Sequence, residues 1–525
     1  MPAPNHIYCG NHFHLIEEEG VCIRKRASDD VEPSSDETKR NIKKKRKDRG
    51  ARIPCPIDPS HMIFESALAK HVLVCPAAKE REETCSREYY KEGTNTGGFG
   101  DLGDEGKNND DDDDDVGGNR DETTTDLARA QQLAMAVLRV FCSLFPSAAS
   151  RNNDQKKRGN SSDDDNLSKD ILMNITEEDI YNALPEVDLS SAEEGVAKDI
   201  AKHRVKAGGP RHLHQLQSIL GHVRKNGLIP EAADDDDCEH SVIEMGAGRG
   251  MLGLVTAGAM GAAQTQNTTA SSSKVKLYLV ERSGTRGKAE TKIRTATGDA
   301  SQDNDDSLRL DRVEVSRIKC DLAHVHMSTA LPFLTKKSGK RRSIVVAKHL
   351  CGAGTDLALK SLRDIARSGA VDGCVMATCC HGLCTWNDYV GRDSFLELFR
   401  GMGGLSAFSG SDFDQLRRWT SASVLEDSDH PRSAAVVDDD DEHNIGVKSQ
   451  NIYVVVKQLG LACGGKGLGR ACQRLIDYGR TEYIRKHLFR RSSAEQDYIT
   501  ADASLCHYCS SDVTPQNALI VAKRG

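Results

Sequence analysis

The stretch that most constrains the fold is Ser241 to Ala259, SVIEMGAGRGMLGLVTAGA. An apolar run suited to a buried strand enters a loop holding Gly246, Gly248 and Gly250, and an apolar helix follows. Glycines in such a loop permit a tight turn and let the backbone approach a ligand closely. The order strand, glycine loop, helix predicts an α/β, Rossmann-like domain with its ligand at the strand end. A dinucleotide site uses the same device for a pyrophosphate, so the glycines alone do not name the ligand.

The neighbouring acids narrow the choice. Glu244 lies beside the loop, where a positively charged sulfonium is favoured over a diphosphate. KLYLVERSG ends a second strand at Glu281, where an acid accepts hydrogen bonds from ribose hydroxyls in both NAD and S-adenosylmethionine sites. A third strand, Val313 to Ile318, leads to Asp321, a candidate for the adenine side. Together these favour S-adenosylmethionine over NAD.

A second apolar run, IVVAKHLCGAGTDLAL from Ile344 to Leu359, delivers Lys348, His349 and Cys351, with a helix expected near Asp356. Another, GCVMATCCHGLCTW, delivers Cys379, Cys380, His381 and Cys384. Ligands of open α/β sheets bind where strands end, so these side chains are candidates for an active-site lip. Metal binding by the second set is disfavoured, because adjacent cysteines do not easily face one ion. The competing reading is a buried strand end of small polarizable residues.

Upstream, IPCPIDPSHMIFESALAKHVLVCP places Cys55, His61, His71 and Cys75 with five, nine and three residues between them. Four such ligands suit the tetrahedral preference of zinc. His71 and Cys75 stand four apart, on one face of the helix suggested by FESALAKHVLVC. So short a segment has too little apolar surface to fold alone, and a metal supplies the missing stability.

The remaining chain divides by composition. Four acidic runs, at Asp110–Asp115, Asp163–Asp165, Asp234–Asp237 and Asp438–Glu442, dominate the formal charge of −8; without them it is +10. The basic remainder suits a polyanionic partner. Residues 1–52 form a basic arm that includes Lys39 to Arg49, KRNIKKKRKDR, a nuclear-targeting or phosphate-contacting stretch. The zinc module is assigned to 53–79, disordered linkers to 80–125 and 147–168, a helix to 126–146, and the catalytic body to 170–525. Within the body, insertions are expected near 262–274, 299–307 and 424–444, while His212 to Pro230 reads as an amphipathic helix. QNIYVVVKQ at 450–458 has strand composition but stays open between strand and helix, and NALIVAKR at 517–524 reads as the last strand. GRACQRLIDYGRTEYIRKHLF reads as an amphipathic helix whose Arg and Lys line an outer, RNA-facing surface.

The 17 cysteines sit beside histidines, and no signal-peptide core opens the chain, which favours reduced thiols in a nuclear or cytoplasmic protein. No run approaches the ~18 to 20 apolar residues of a membrane span.

The Cys55–Cys75 segment resembles the CHHC zinc finger of the U11-48K type. KHLCGxxTDLAL, CCHxxCxW, EMGAGRG and RACQRLIDYGRTEYI occur in the order found in Trm13-type tRNA methyltransferases, a resemblance running from about residue 170 to the C-terminus. In that family a Cys3His finger precedes the CHHC finger. Tyr8 to His12, YCGNH, is similar to its last two ligands only. The resemblance implies a class I methyltransferase domain that uses S-adenosylmethionine and Zn2+. It further implies 2'-O-methylation of the ribose at position 4 in the acceptor stem of certain tRNAs. A ribose hydroxyl is a weak nucleophile, so its proton must be taken or its alkoxide stabilised. Lys348, supplying positive charge, and His349 are the expected catalytic groups, with His381 a rival base and Asp356 orienting either one. Two other readings stay open: a related methyltransferase for another RNA or a protein, and a non-catalytic zinc-finger RNA-binding protein.

Overall fold

The computed structural model describes residues 51–58, 61–97, 122–149, 168–186, 209–229, 238–265, 274–282, 288–296, 308–335, 341–424, 451–489 and 501–525. The remnant-finger residues Cys9 and His12, the basic run and most of the three expected insertions lie outside them. The chain forms two compact units, Met1–Lys91 and Glu92–Gly525.

In the first unit, β1 (Arg52–Pro54) and β2 (Met62–Phe64) pair as an antiparallel hairpin. Helices α1 (Leu68–Val74) and α2 (Pro76–Cys85) follow. Proline at the first position of α2 has no N–H to lose there, which favours a new helix straight after Cys75. The disordered linker expected from residue 80 therefore starts too early: it overlaps half of α2.

The second unit is built on a seven-stranded sheet. Its elements in chain order are α3 (Glu122–Leu144), α4 (Lys169–Asn174), α5 (Glu177–Tyr181), α6 (Pro210–Lys225), β3 (Glu239–Met245), α7 (Met251–Thr265), β4 (Val275–Glu281) and α8 (Lys288–Ala296). Then come β5 (Val313–Lys319), α9 (Met327–Ala330), β6 (Arg341–Cys351), α10 (Ala353–Arg367), β7 (Val371–Cys379), α11 (Arg392–Gly401) and α12 (Gly410–Trp419). The chain closes with α13 (Ile452–Leu459), α14 (Gly464–Tyr483), β8 (Ala501–His507) and β9 (Ala518–Arg524). The sheet order is β5-β4-β3-β6-β7-β9-β8. Strands β3 to β7 pair in parallel, and β9 runs antiparallel to both β7 and β8. This is the Rossmann-like arrangement the glycine loop predicts. The chain walks outward from β3 to β5, then returns to the other side of β3 as β6, so the topological switch falls between β3 and β6.

Two apolar cores result. One packs α6 and α7 against the sheet through Leu216, Ile219, Val223, Leu254 and Val255. The other is helical and gathers α3, α11, α12, α13 and α14, with Phe141, Tyr389, Phe395, Phe399 and Phe413 at its centre. The helix expected at 126–146 is thus part of the body rather than a separate piece, since Leu133, Val137 and Phe141 are completely enclosed.

One open reading is decided and two further expectations change. Residues 450–458, with strand composition, form helix α13: the Asn451 side chain caps its start by accepting from Tyr453 N at 2.9 Å, and Gly460 ends it in a left-handed conformation. Of the basic residues expected on the outer face of this stretch, Arg470, Arg474 and Arg480 of α14 are instead 2%, 1% and 0% exposed, whereas Lys486 beyond the helix is exposed. Finally, residues 92–97, expected as linker, dock onto the body. Asn95 donates through Nδ2 to the carbonyls of Leu322 (2.7 Å) and Val325 (2.8 Å), and Gly97 N donates to Asp388 Oδ1 at 2.8 Å.

Candidate active site and metal centre

The glycine loop leaves β3 at the switch point. Gly246, Gly248 and Gly250 all have positive φ, at 62°, 50° and 73°. A Cβ on Gly246 would lie 2.5 Å from Leu350 Cδ2 of β6, so that glycine lets the two strand ends meet. A Cβ on Gly248 would meet nothing within 4 Å, so this residue borders open space at the centre of the loop. Glu281, at the end of β4, accepts from Gly248 N through Oε2 at 2.7 Å, and Arg317 of β5 donates to Gly248 O at 2.9 Å. Arg317 is in turn held by Glu290 at 2.7 Å. The loop is thereby fixed from both its N–H and its carbonyl.

Glu244 does not border the open space. It is 4% exposed and accepts from Gly253 N in the first turn of α7 at 2.8 Å. Burial pushes its carboxyl up to about 8, although the Gly253 bond and the Lys348 and Arg317 charges pull the other way. Its place is under the loop, as a brace between β3 and α7. Asp321, just past β5, accepts from Ala323 N at 3.0 Å and faces Arg282 at 3.6 Å.

Across the switch, β6 carries Lys348 one residue beyond the Met245–Ala347 pair. The β6–β7 register shifts between Lys348 and Leu350, so His349 is an extra, bulged residue, with φ of 66° and an exposed side chain. Left-handed backbone costs a non-glycine residue of the order of 1 kcal/mol, and such strain concentrates at functional sites. The Lys348 ammonium reaches back to α6, 3.2 Å from Gln215 Oε1 and 3.4 Å from His212 Nδ1. Burial lowers the Lys348 pKa to about 8, against the pull of Glu244. His212 and His349 meet edge to face with ring centroids 6.0 Å apart. Lys348 and His349 thus sit at the end of β6, across the switch point from the glycine loop. His212 and Gln215 join them, and only the amphipathic helix over His212 to Pro230 pointed towards those two.

Asp356 and His381 lie elsewhere. Asp356, in α10, is 0% exposed and receives Arg480 through Oδ2 at 2.6 Å, as well as Val390 N at 3.2 Å. His381, 2% exposed, pairs through Nε2 with Asp477 Oδ1 at 2.9 Å. Asp477 also receives Thr378 Oγ1 at 2.8 Å and Arg480 Nη1 at 3.1 Å. Burial pushes the Asp477 carboxyl up, but His381, Arg480 and Arg474 outweigh it and hold the pKa at about 2. This ionic core ties β7, α10 and α14 together behind the strand ends, and among the described residues Lys348 bonds to His212 and Gln215 rather than to Asp356 or His381.

In the first unit, Cys55, His61, His71 and Cys75 each bring a donor atom within 4.8 Å of the others. The two sulfurs are 3.8 Å apart, the imidazole Nε2 atoms 2.9 Å, and His71 Nε2 stands 3.2 Å from Cys55 Sγ. Both thiols are almost fully enclosed. Four converging Cys and His donors are the set a structural zinc takes. His61 turns its other nitrogen, Nδ1, to Asp58 at 3.4 Å, the outer carboxylate that commonly orients a metal-binding imidazole.

Comparison with known proteins agrees with the fold and with the CHHC cluster. Residues 214–523 match the family described as methyltransferase TRM13, and residues 52–76 match the U11-48K-like CHHC zinc finger. A mouse relative named tRNA:m(4)X modification enzyme TRM13 homolog is 26% identical, over 86% of this chain and 84% of its own length. Relatives named tRNA:m(4)X modification enzyme TRM13 are 23% identical in Yarrowia lipolytica, over 90% of this chain and 81% of theirs, and 21% identical in Saccharomyces cerevisiae, over 99% and 92%. No solved structure matches the chain. With more than half of its length matched by one family model, the chain belongs to the TRM13 methyltransferase family.

Proposed function

We propose that this chain transfers a methyl group from S-adenosylmethionine to the ribose 2'-hydroxyl of nucleotide 4 in the acceptor stem of certain tRNAs. The observation that carries the reading is Lys348, a part-buried amine with a pKa near 8, set directly across the switch point from the glycine loop. The chain's relatives are named as tRNA:m(4)X modification enzymes, which supports tRNA as the substrate class.

Glu281, Asp321 and the open space beside Gly248 would hold the cofactor, with Glu244 and Arg317 supporting the loop. When bound, S-adenosylmethionine supplies a methyl group activated by a sulfonium. Lys348 acts on the nucleophile: near neutral pH a useful fraction is unprotonated and takes the hydroxyl proton, leaving an ammonium beside the developing negative charge. Gln215 and His212 aim that amine. His349, exposed on its bulge beside Lys348, is accessible to an incoming nucleotide.

Cys55, His61, His71 and Cys75 would hold Zn2+ and so fold the first unit. That module and the basic arm contact the stem, whose A-form surface is read mainly through shape, phosphates and 2'-hydroxyls. The basic run supports a nuclear and/or cytoplasmic location. No helix among the described residues is long and apolar enough to cross a membrane. Incubation with labelled S-adenosylmethionine and total tRNA, followed by mapping of the modified nucleotide, tests the reading. Label at ribose 4 upholds it, whereas label on a base, on protein or nowhere overturns it.

A further inference from the structure

We propose that Cys351, Cys379 and Cys380 form a second metal site, for a zinc-class thiophilic ion, at the catalytic edge of the sheet. Among the described residues, only two groups of three or more His, Cys, Asp and Glu side chains converge tightly enough to share an ion: the CHHC set and this one, whose sulfurs all lie within 4.8 Å of one another. Cys351 and Cys379 are direct partners across the β6–β7 register, with sulfurs 3.4 Å apart. Zinc–thiolate bonds of about 2.3 Å in a tetrahedron put two sulfurs ~3.8 Å apart. The Cys55–Cys75 separation in the finger is 3.8 Å.

The third sulfur arrives by an unusual backbone route. Successive residues of a strand point to opposite faces, so Cys379 and Cys380 in sequence should diverge. Instead Cys380 turns left-handed, at φ 50° and ψ 45°, and its N–H is held by Gln516 Oε1 at 3.1 Å from the β8–β9 connection. Only two non-glycine residues among those described have positive φ: Cys380, a member of this cluster, and His349, two residues before Cys351. The turn separates Cys380 from His381 and Cys384, which go to the ionic core around Asp477 and Arg480. Adjacent cysteines on a regular strand diverge and do not share an ion, and this turn removes that obstacle for Cys379 and Cys380.

Cys379 and Cys380 are 5% and 8% exposed, while Cys351 is only partly covered, so a bound ion would keep one position towards the open edge. Three protein ligands and one open position is the pattern of zinc sites that accept water or a substrate oxygen. Each thiol releases its proton to solvent on binding, and the ion clamps the ends of β6 and β7. That clamp sets the bulge carrying His349 and, next to it, Lys348. The inference does not depend on which nucleotide is methylated.

The test is metal content of the full chain, purified without added metal or chelator and measured by elemental mass spectrometry. Cys351→Ser should carry one equivalent of zinc less than wild type, and Cys55→Ser should lose a separate equivalent, so the two losses add in the double variant. Wild-type protein provides a second readout that is independent of how the variants fold: alkylation of Cys351 should be slow, and should speed up at least tenfold after chelation. Unchanged zinc in Cys351→Ser, alkylation of Cys351 indifferent to chelator, or a Cys351–Cys379 disulfide in freshly isolated protein would each overturn the proposal.

Discussion

The ammonium of Lys348 lies 3.2 Å from the side-chain oxygen of Gln215, joining the strand that returns across the switch point to the helix that precedes the glycine loop. Gln215 is buried, so its amide is a fixed acceptor. Gln215→Leu removes the acceptor at similar volume. The expected result is a fall in kcat on the order of tenfold with KM for tRNA little changed, measured under saturating methyl donor. A change confined to KM contradicts a positioning role.

The pH profile follows from Lys348. Burial places its pKa at about 8, below the usual 10.5 of an amine, so the proton-accepting form grows as pH rises through 8. The rate of methyl transfer should therefore climb below pH 8 and level off above it. Lys348→Met should lower the rate by roughly 10²- to 10⁴-fold, the range of a lost general base, while leaving S-adenosylmethionine binding intact. Because Glu244 also titrates near 8 and interacts with Lys348, the inflection belongs to the pair. Glu244→Gln should shift it downward, because the carboxylate pulls the Lys348 pKa up.

The glycine loop separates two effects. Gly246→Ala drives a Cβ into Leu350 at 2.5 Å, and should lower the melting temperature as well as cofactor affinity. Gly248→Ala meets no neighbour within 4 Å and bears only the positive-φ penalty, on the order of 1 kcal/mol. Its loss of cofactor affinity by calorimetry should exceed its loss of stability, since the new methyl group occupies the space a ligand needs.

The buried ions at the back of the site make a stability prediction. Asp356→Ala leaves Arg480 short of its 2.6 Å partner in a dry environment and should destabilise the second unit by about 3–5 kcal/mol, read as a lower unfolding midpoint. The contribution of Asp477 depends on pH. Its carboxyl sits at about 2 in the fold against 3.8 ordinarily, so its share of stability is complete above about pH 4 and is lost as pH falls towards 2. Asp477→Asn should flatten the acid limb of a stability-against-pH curve. An unchanged limb would contradict the assignment.

Asn95 should be worth more than a linker residue. Its amide spans two carbonyls beyond β5, close to Asp321, so Asn95→Ala leaves Leu322 and Val325 without those bonds. The expected cost is about 1–3 kcal/mol, accompanied by faster hydrogen exchange at Ala323 and Asp321.

The glycine loop, the strand after it and the four finger ligands were legible because each rests on local chemistry: positive φ needs glycine, and a metal needs donors at short spacing. Helix α13 was not, because its Tyr453–Val456 run has strand composition while its cap and its packing against α14 decide for helix. The α14 arginines misled because their partners lie far away in sequence, Asp356 being 124 residues before Arg480. His212 and Gln215 announce themselves only once α6 is laid against β6. The left-handed turn at Cys380 has no glycine to betray it, so the sulfurs it gathers were invisible from spacing alone.

The central claim is the placement of a methyl-transfer centre at Lys348, and the most direct measurement is the position of the methyl group. Wild-type and Lys348→Met chains, incubated with labelled S-adenosylmethionine and total tRNA, should differ by the appearance of one 2'-O-methyl ribose, at nucleotide 4, with wild type only. Equal label from the two chains, or label at any other position, would contradict the account.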